Sequence, residues 1–333
     1  MRVAGAAALA GLIAGCAGQR PSAGAPPRPS SESPEPAASA PPAEGPRVAI
    51  TLDDLGSTQE SSDPALSRRI LDELGAAQAP VAVFVNCQAL NDDTLRLWQR
   101  AGATVGNHTA THLSIDAAGP NDAWRQDVES CDTHLKGVLG APVKYFRYPY
   151  MRYGSTTEAR LDGARELATL GYSVAHVTAA TSEWLLAGYY ERALVKGDAA
   201  LVRDLVAAYT EHMLKTLEAA RELAVRKLGR DVLHITLAHV NRLSGDHLSD
   251  VLAALQGQGF RFIDLKEALS DPVYALPDAY VGGCGCSWLA RIPPALTRDD
   301  PYVFGDYEAE LRARFEARLP QEVVPYVGDV PKN

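Results

Sequence analysis

Basic charge is scarce in this 333-residue chain: 32 Lys and Arg stand against 41 Asp and Glu, a formal net charge of -9. Binding a phosphate polymer depends on Lys and Arg contacts, so this balance argues against nucleic acid as a partner. Long hydrophobic runs are also missing. A spanning helix needs ~20 apolar residues, and the run from Val3 to Ala14 is too short, with no second candidate after it. No glycine-rich phosphate loop follows the first expected strand, which makes a nucleotide-binding sheet a poor choice. Cysteine is sparse as well. Cys284-Gly285-Cys286 has no partner pair with which to build a structural zinc site. An oxidising compartment would permit disulfides among Cys87, Cys131, Cys284 and Cys286, but connectivity is not readable from spacing. The last two are expected to be free or locally paired.

What is present at the amino terminus is one basic residue, Arg2, then the short apolar run, then Ile13-Ala14-Gly15-Cys16. The run has the size of a signal-peptide core. An aliphatic residue, two small residues and a cysteine make up a bacterial lipobox, so residues 1–16 are expected to be a lipoprotein signal with Cys16 lipidated. An ordinary secretion signal with an incidental cysteine is the alternative. Ala17, where an inner-membrane retention signal would carry Asp, favours the outer membrane of the bacterial envelope; the location expected is its periplasmic side, although Ala17 does not distinguish that from the exterior. Residues 17–46 are rich in Pro, Ala, Ser and Gly without an apolar period. Such a segment cannot bury enough surface to order itself and is expected to be a disordered tether. Fully polyproline-like, it would reach roughly 90 Å at about 3.1 Å per residue. Membrane association would then be through the lipid alone. A tethered domain suggests an envelope polymer as substrate, although a plain spacer fits equally.

Beyond residue 46 short β-branched runs alternate with helix-period stretches. Strands are expected at Val48–Leu52, Val81–Val85, Ala103–Val105, Lys144–Phe146, Ser173–Val177, Leu233–Ala238 and Phe260–Ile263. Between them lie helices opening at Asp63-Pro64, then Asn91–Ala101, Asn121–Leu139, Glu158–Leu170 and Asp246–Gln256. One long helix is expected at Asp198–Leu228, before the sixth strand, where it can cap one wall of a site. Strand, helix, strand in repetition requires parallel pairing with right-handed crossovers. The fold expected is an α/β distorted seven-stranded barrel with that helical insertion, spanning 47–270 and followed by a C-terminal extension, 271–333.

Three stretches place ionisable groups just beyond expected strands: Asp53-Asp54, His108 with His112, and His239. Side chains at the carboxyl ends of different strands converge on one face of a β/α fold. One carboxylate and two imidazoles make a three-ligand site for a divalent metal with a position left open. A second carboxylate and a third imidazole remain as base and acid. Adjacent residues on an extended strand point to opposite sides, so one aspartate can bind metal while its neighbour reaches the attacking water; helix capping is the competing use. His108 and His112 share a face if their turn is helical, as in zincins, but the zincin Glu is absent. Arg147 would hold a carboxylate base ionised, and His239 would protonate a leaving amine. The five other histidines sit inside helices and strands or near a helix start and are read as structural. The inventory suits metal-assisted hydrolysis.

Thr51-Leu52-Asp53-Asp54-Leu55-Gly56, His108-Thr109-Ala110-Thr111-His112, Arg147-Tyr148-Pro149-Tyr150 and Leu237-Ala238-His239 resemble, in order, the motifs of the polysaccharide deacetylase family, the nodulation-deacetylase-like carbohydrate esterases. The resemblance runs over about 47–269. It implies a distorted seven-stranded β/α barrel, with Asp54, His108 and His112 as metal ligands. The metal would be zinc, with cobalt, nickel or manganese as alternatives. It further implies Asp53 as general base, Arg147 as its orienting partner and His239 as general acid. Tyr148, Pro149 and Tyr150 would contact substrate, and Trp184 would floor the acetyl or sugar site. One departure is Thr181-Ser182-Glu183-Trp184, where Glu183 stands in place of the family Asp and leaves the tuning of Arg147 open. The long helix before His239 and the tail Tyr274–Trp288 are another.

The function implied is metal-dependent removal of N-acetyl groups from an aminosugar polymer or oligosaccharide of the envelope, a glycan being the partner; O-deacetylation would use the same residues. Hydrolysis of a small cyclic amide or imide is an alternative that a tethered lipoprotein disfavours. A glycan-binding lipoprotein with a degenerate site is another, disfavoured because all six candidate catalytic and metal residues are present.

Overall fold

The structure, a computed structural model, describes residues 45–117, 122–296 and 306–319. Cys16 and all but the last two residues of the expected tether lie outside the described residues. β1 (Arg47–Leu55) opens the fold and buries Val48, Ala49, Ile50 and Leu52 on both faces. A parallel strand covered by helices reads as such a continuous apolar run. β2 (Val81–Val85), β3 (Thr104–Asn107), β4 (Tyr145–Phe146) and β5 (Ser173–Val174) follow beside it, giving the order β5-β4-β3-β2-β1. β6 (His234–Ile235), β7 (Ala238–His239) and β8 (Arg261–Phe262) all pair with β1, and every pairing is parallel. The result is an α/β fold whose parallel sheet curves into a half-barrel. A single bridge, Ala179 with Thr236, joins the chain beyond β5 to the gap between β6 and β7.

The single strand expected at Leu233–Ala238 is divided into β6 and β7. Thr236, in the gap, turns its carbonyl to the Thr51 hydroxyl and its own hydroxyl to the Ala49 carbonyl, 3.2 Å away. The ladder is interrupted there, although the chain still runs along β1.

Helices fill the crossovers. They are α1 (Pro64–Ala76), α2 (Asp92–Arg100), α3 (Asp122–Leu139), α4 (Thr157–Thr169), α5 (Glu183–Lys196), α6 (Ala199–Leu228) and α7 (Arg242–Gly257). Short turns α8 (Leu265–Ala268) and α9 (Trp288–Arg291) and a tail helix α10 (Asp306–Phe315) complete the described chain. Starts follow local chemistry: Asp63 caps α1 ahead of Pro64, Asn91 caps α2 and Asn241 caps α7, each through its side-chain oxygen. α6 runs from the Asp198 cap to Gly229, whose positive φ of 70° ends it. α5 has no counterpart among the expected helices. Its buried residues Leu185, Leu186, Tyr189, Tyr190 and Ala193 nevertheless recur at the spacing of one helical face.

Among the described residues two disulfides are present, Cys87–Cys131 tying the end of β2 to α3, and Cys284–Cys286 closing locally. The segment after residue 270 joins the main core rather than standing apart: Val273, Trp288, Leu289 and Ile292 are buried in it, and Trp288 Nε1 donates to the Val273 carbonyl at 2.8 Å. Among the described residues no helix is long and apolar enough to cross a membrane.

Candidate active site

The carboxyl ends of β1, β3, β4 and β7 deliver Asp53, Asp54, His108, Arg147 and His239 to one place. Register between β1 and β2 breaks between Leu52 and Leu55, and Asp54 takes a positive φ of 68°. That break changes where the adjacent carboxylates point. Instead of facing opposite sides of a regular strand, both come near His108 Nε2, at 3.8 Å from Asp53 Oδ2 and 3.6 Å from Asp54 Oδ1. Non-glycine residues rarely adopt such φ values, and their occurrence at Asp54, Thr109 and His112 concentrates backbone strain at the site.

His108 and His112 do not lie on a helical turn. Residues 108–114 form a loop, with φ of 67° at Thr109 and 60° at His112. The loop nevertheless brings the two rings to a centroid separation of 4.9 Å. Asn107 organises it: its Oδ1 accepts from the Thr109 N–H at 2.8 Å, and its Nδ2 donates to the Val128 carbonyl. His108 Nδ1 is 2.8 Å from the Arg147 carbonyl. That contact places the proton on Nδ1 and leaves the Nε2 lone pair directed at Asp54. Burial, with His112 beside it, holds the His108 imidazole down at about 3, so it is neutral.

Asp54 Oδ1 is buried and has no hydrogen-bond partner. It lies 3.6 Å from His108 Nε2 and 3.4 Å from His112 Nε2, too far for hydrogen bonds. Ligands about 2.0–2.1 Å from a tetrahedral zinc ion stand roughly 3.3 Å apart along the edges of the tetrahedron. The two carboxylate-to-imidazole separations are close to that edge length, and all three donors lie within 4.8 Å of one another. Among the described residues theirs is the one group of His, Cys, Asp or Glu side chains with this convergence.

Asp53 is almost wholly buried. Its Oδ1 accepts from Arg147 Nη1 at 2.7 Å, and the same Nη1 donates to the Thr51 hydroxyl at 2.6 Å. Arg147 is itself fixed by a bond from Nε to the Ala175 carbonyl, and its guanidinium lies 4.0 Å from the Phe84 ring centroid. Burial pushes the Asp53 carboxyl above its ordinary value, against the opposing pull of Arg147. His239 Nδ1 meets Glu183 Oε2 at 2.8 Å, while Asn241 Nδ2 donates to the other oxygen of Glu183 at 2.6 Å. Burial alone would lower the His239 imidazole, but the Glu183 hydrogen bond and charge outweigh it and carry it up to about 9. Glu183 thus partners His239 and not Arg147, whose tuning comes from Asp53 and Thr51.

One cavity of about 320 Å³ contains Asp53, Asp54, His108, His112 and His239, together with Tyr150 and Trp184. Tyr150 packs its edge on His112 at 4.4 Å between centroids. Tyr148 and Pro149 are not among its lining residues. The Tyr148 ring is buried, stacked on Trp124 at 5.7 Å and set edge-on to Phe146, because apolar neighbours claim it where the chain turns at Tyr150. Asn241 carries no motif, Thr51 lies in the first motif without an assigned role, and Gly285, Cys286 and Ser287 reach the cavity from the tail, which was marked only as a departure. The face of α6 that lines the cavity was signalled by the length of that helix.

Comparison with solved structures returns carbohydrate esterases at low identity. A mutant of a Bacillus anthracis CE4 family pseudoenzyme with restored enzymatic activity is 18% identical, with 68% of each chain covered and a TM-score of 0.47. The peptidoglycan deacetylase PdaC from Bacillus subtilis is 19% identical over 67% of this chain and 91% of its own, TM-score 0.44. A family 4 carbohydrate esterase from Streptomyces lividans in complex with acetate is 18% identical over 67% and 95%, TM-score 0.46. Likenesses this shallow carry no argument about chemistry. The polysaccharide deacetylase family model matches residues 40–172, a segment that includes Asp53, Asp54, His108, His112 and Arg147 and stops short of Glu183 and His239. Over that segment the chain is similar to the polysaccharide deacetylase family.

Proposed function

We propose that this chain is a metal-dependent hydrolase that removes N-acetyl groups from an aminosugar polymer or oligosaccharide of the bacterial envelope, where a lipid on Cys16 anchors it. The half-barrel is read, on this proposal, as a distorted seven-stranded barrel with the Ala179–Thr236 bridge as its seam. The observation that carries the proposal is the orphaned, buried Asp54 Oδ1 facing two imidazole nitrogens at 3.4 and 3.6 Å. A buried carboxylate oxygen without a partner costs several kcal/mol unless something positive completes it.

Asp54, His108 and His112 would hold the ion, and their one-oxygen, two-nitrogen set suits zinc. A bound zinc supplies Lewis acidity, which polarises a carbonyl and acidifies water. Asp53 is held by Arg147 through Oδ1, so Oδ2 is the oxygen that takes the proton from the attacking water. Its raised proton affinity makes it a better base than an exposed aspartate. His239, protonated below about pH 9 by its pairing with Glu183, gives its proton to the departing amine nitrogen. Trp184 and Tyr150 bound the space in which the substrate sits.

Amine release from chitooligosaccharides and peptidoglycan, with and without chelator, tests the reading. Turnover that disappears with chelator and returns with zinc supports it. Absence of amine from every glycan at saturating zinc would overturn it.

A further inference from the structure

α6 presents Thr216, Ala219, Ala220 and Leu223 to the cavity that holds the carboxylates and imidazoles, and Leu237 and Trp184 line the same space. The α6 positions recur at the three- and four-residue spacing of one helical face. Sugars are recognised by donors and acceptors, but four of the hydroxyl groups lining this cavity, those of Thr178, Thr181, Thr216 and Ser287, are bonded to the backbone. Thr216 donates to the His212 carbonyl at 2.8 Å, Thr181 to the Leu237 carbonyl and Ser287 to the Thr178 carbonyl at 2.7 Å. Thr178 Oγ1 accepts the Ile235 N–H at 2.9 Å. Ala219, Ala220, Leu223, Leu237 and Trp184 give that wall a largely methyl, methylene and indole surface, while Ser182, Tyr307 and Glu308 are polar members of the same lining. A glycan has to extend into solvent, where half-buried Tyr150 and Arg152 are available. The apolar wall is then left to the other side of the scissile bond.

We propose that the α6 face is an acyl subsite that accepts an apolar chain longer than acetyl on the amide or ester to be cleaved. The inference rests on the hydrolase reading above and names its substrate class: glycans bearing medium-chain acyl groups. In the reaction the water oxygen joins the acyl carbon, the bond from that carbon to the sugar nitrogen or oxygen breaks, and the leaving atom takes a proton. A free aliphatic carboxylate results. From Thr216 to Leu223 the helix rises about 10 Å at ~1.5 Å per residue, room for several methylenes.

The test uses the full chain loaded with zinc and chitobiose N-acylated with acetyl, butyryl, hexanoyl or octanoyl groups. We expect kcat/KM to rise about fourfold per methylene until the wall is filled, the equivalent of ~0.8 kcal/mol at ~1.4 kcal/mol per tenfold. Ala219→Phe should collapse the octanoyl-to-acetyl ratio, and Ala219→Gly should preserve it. Free octanoate should raise the thermal midpoint of the wild type more than acetate does, a difference that Ala219→Phe should erase. Because Ala219 is only half-buried, the unfolding midpoints also check that both variants fold. A flat or falling acyl-length profile with acetyl still cleaved overturns the subsite alone. No turnover at any length overturns the hydrolase reading, and the octanoate shift then decides the subsite by its presence or absence.

Discussion

Asp53 and Asp54 are neighbours in sequence with separate electrostatic lives. Asp53 is gripped by Arg147 at 2.7 Å, whereas Asp54 has an oxygen with no partner but two imidazoles. Asp53→Asn should therefore keep bound zinc and lose turnover by the 10²–10⁴-fold typical of a general base. Asp54→Ala should lose both zinc and turnover. Metal content of the two purified variants beside their rates decides the point, and equal metal loss would reverse the assignments. Glu183 makes a second residue-scale prediction. It holds His239 at about 9 where an isolated histidine sits at 6.5, so the folded protein binds that proton more tightly than the unfolded chain. The resulting stabilisation is complete below about pH 6.5 and is lost as pH rises through about 9. Glu183→Gln keeps the shape but removes the charge, so His239 should titrate lower. The high-pH limb of kcat/KM should move down in the variant, and its stability should no longer fall between pH 6.5 and 9 on this account. A limb that stays in place would remove His239 from the role of acid.

At the scale of elements, the site depends on how closely β2, β3 and β4 approach. Gly106 in β3 lies over the Phe84 ring of β2, so closely that an added Cβ would sit under 3.0 Å from ring atoms. Phe84 in turn supports the Arg147 guanidinium. Gly106→Ala should push the ring toward Arg147, costing about 1–3 kcal/mol as overpacking usually does. Activity should fall by more than the loss of folded protein explains, which denaturant unfolding and single-turnover rates would separate. The helices differ in how plainly the chain announces them. α2 has an Asn cap, and α6 has an Asp cap and a Gly stop, all readable one residue at a time, whereas α7 opens at Arg242 behind the Asn241 cap, ahead of the expected Asp246. α5 lies against both α6 and α7 and is apolar around most of its circumference. Its buried face from Leu185 to Ala193 has a helical period, whereas its enclosure by those helices is set by the fold.

For the whole molecule, the proposed anchor has its own test. Cys16→Ala should move the protein from membrane fractions to the soluble fraction, followed by immunoblot of fractionated cells; a variant that stays with membrane would place anchoring elsewhere. The alternation of strand and helix, the positions of most elements and the residues Asp53, Asp54, His108, Arg147 and His239 were legible in the linear chain. Apolar period, caps and strand-end placement are local, and local rules act through neighbours a few residues apart. Other features needed the folded chain. The convergence of His108 with His112 comes from a strained loop held by Asn107 and not from a helical turn. The pairing of Glu183 with His239 joins residues 56 apart. The absence of Tyr148 from the cavity lining follows from the aromatic neighbours it packs against. Sequence by itself determined which chemical groups this protein can bring to bear, because residue identity carries that directly. Tertiary structure alone decided which groups touch and what faces the substrate, because burial and contact depend on elements that meet only after the chain has closed around its core.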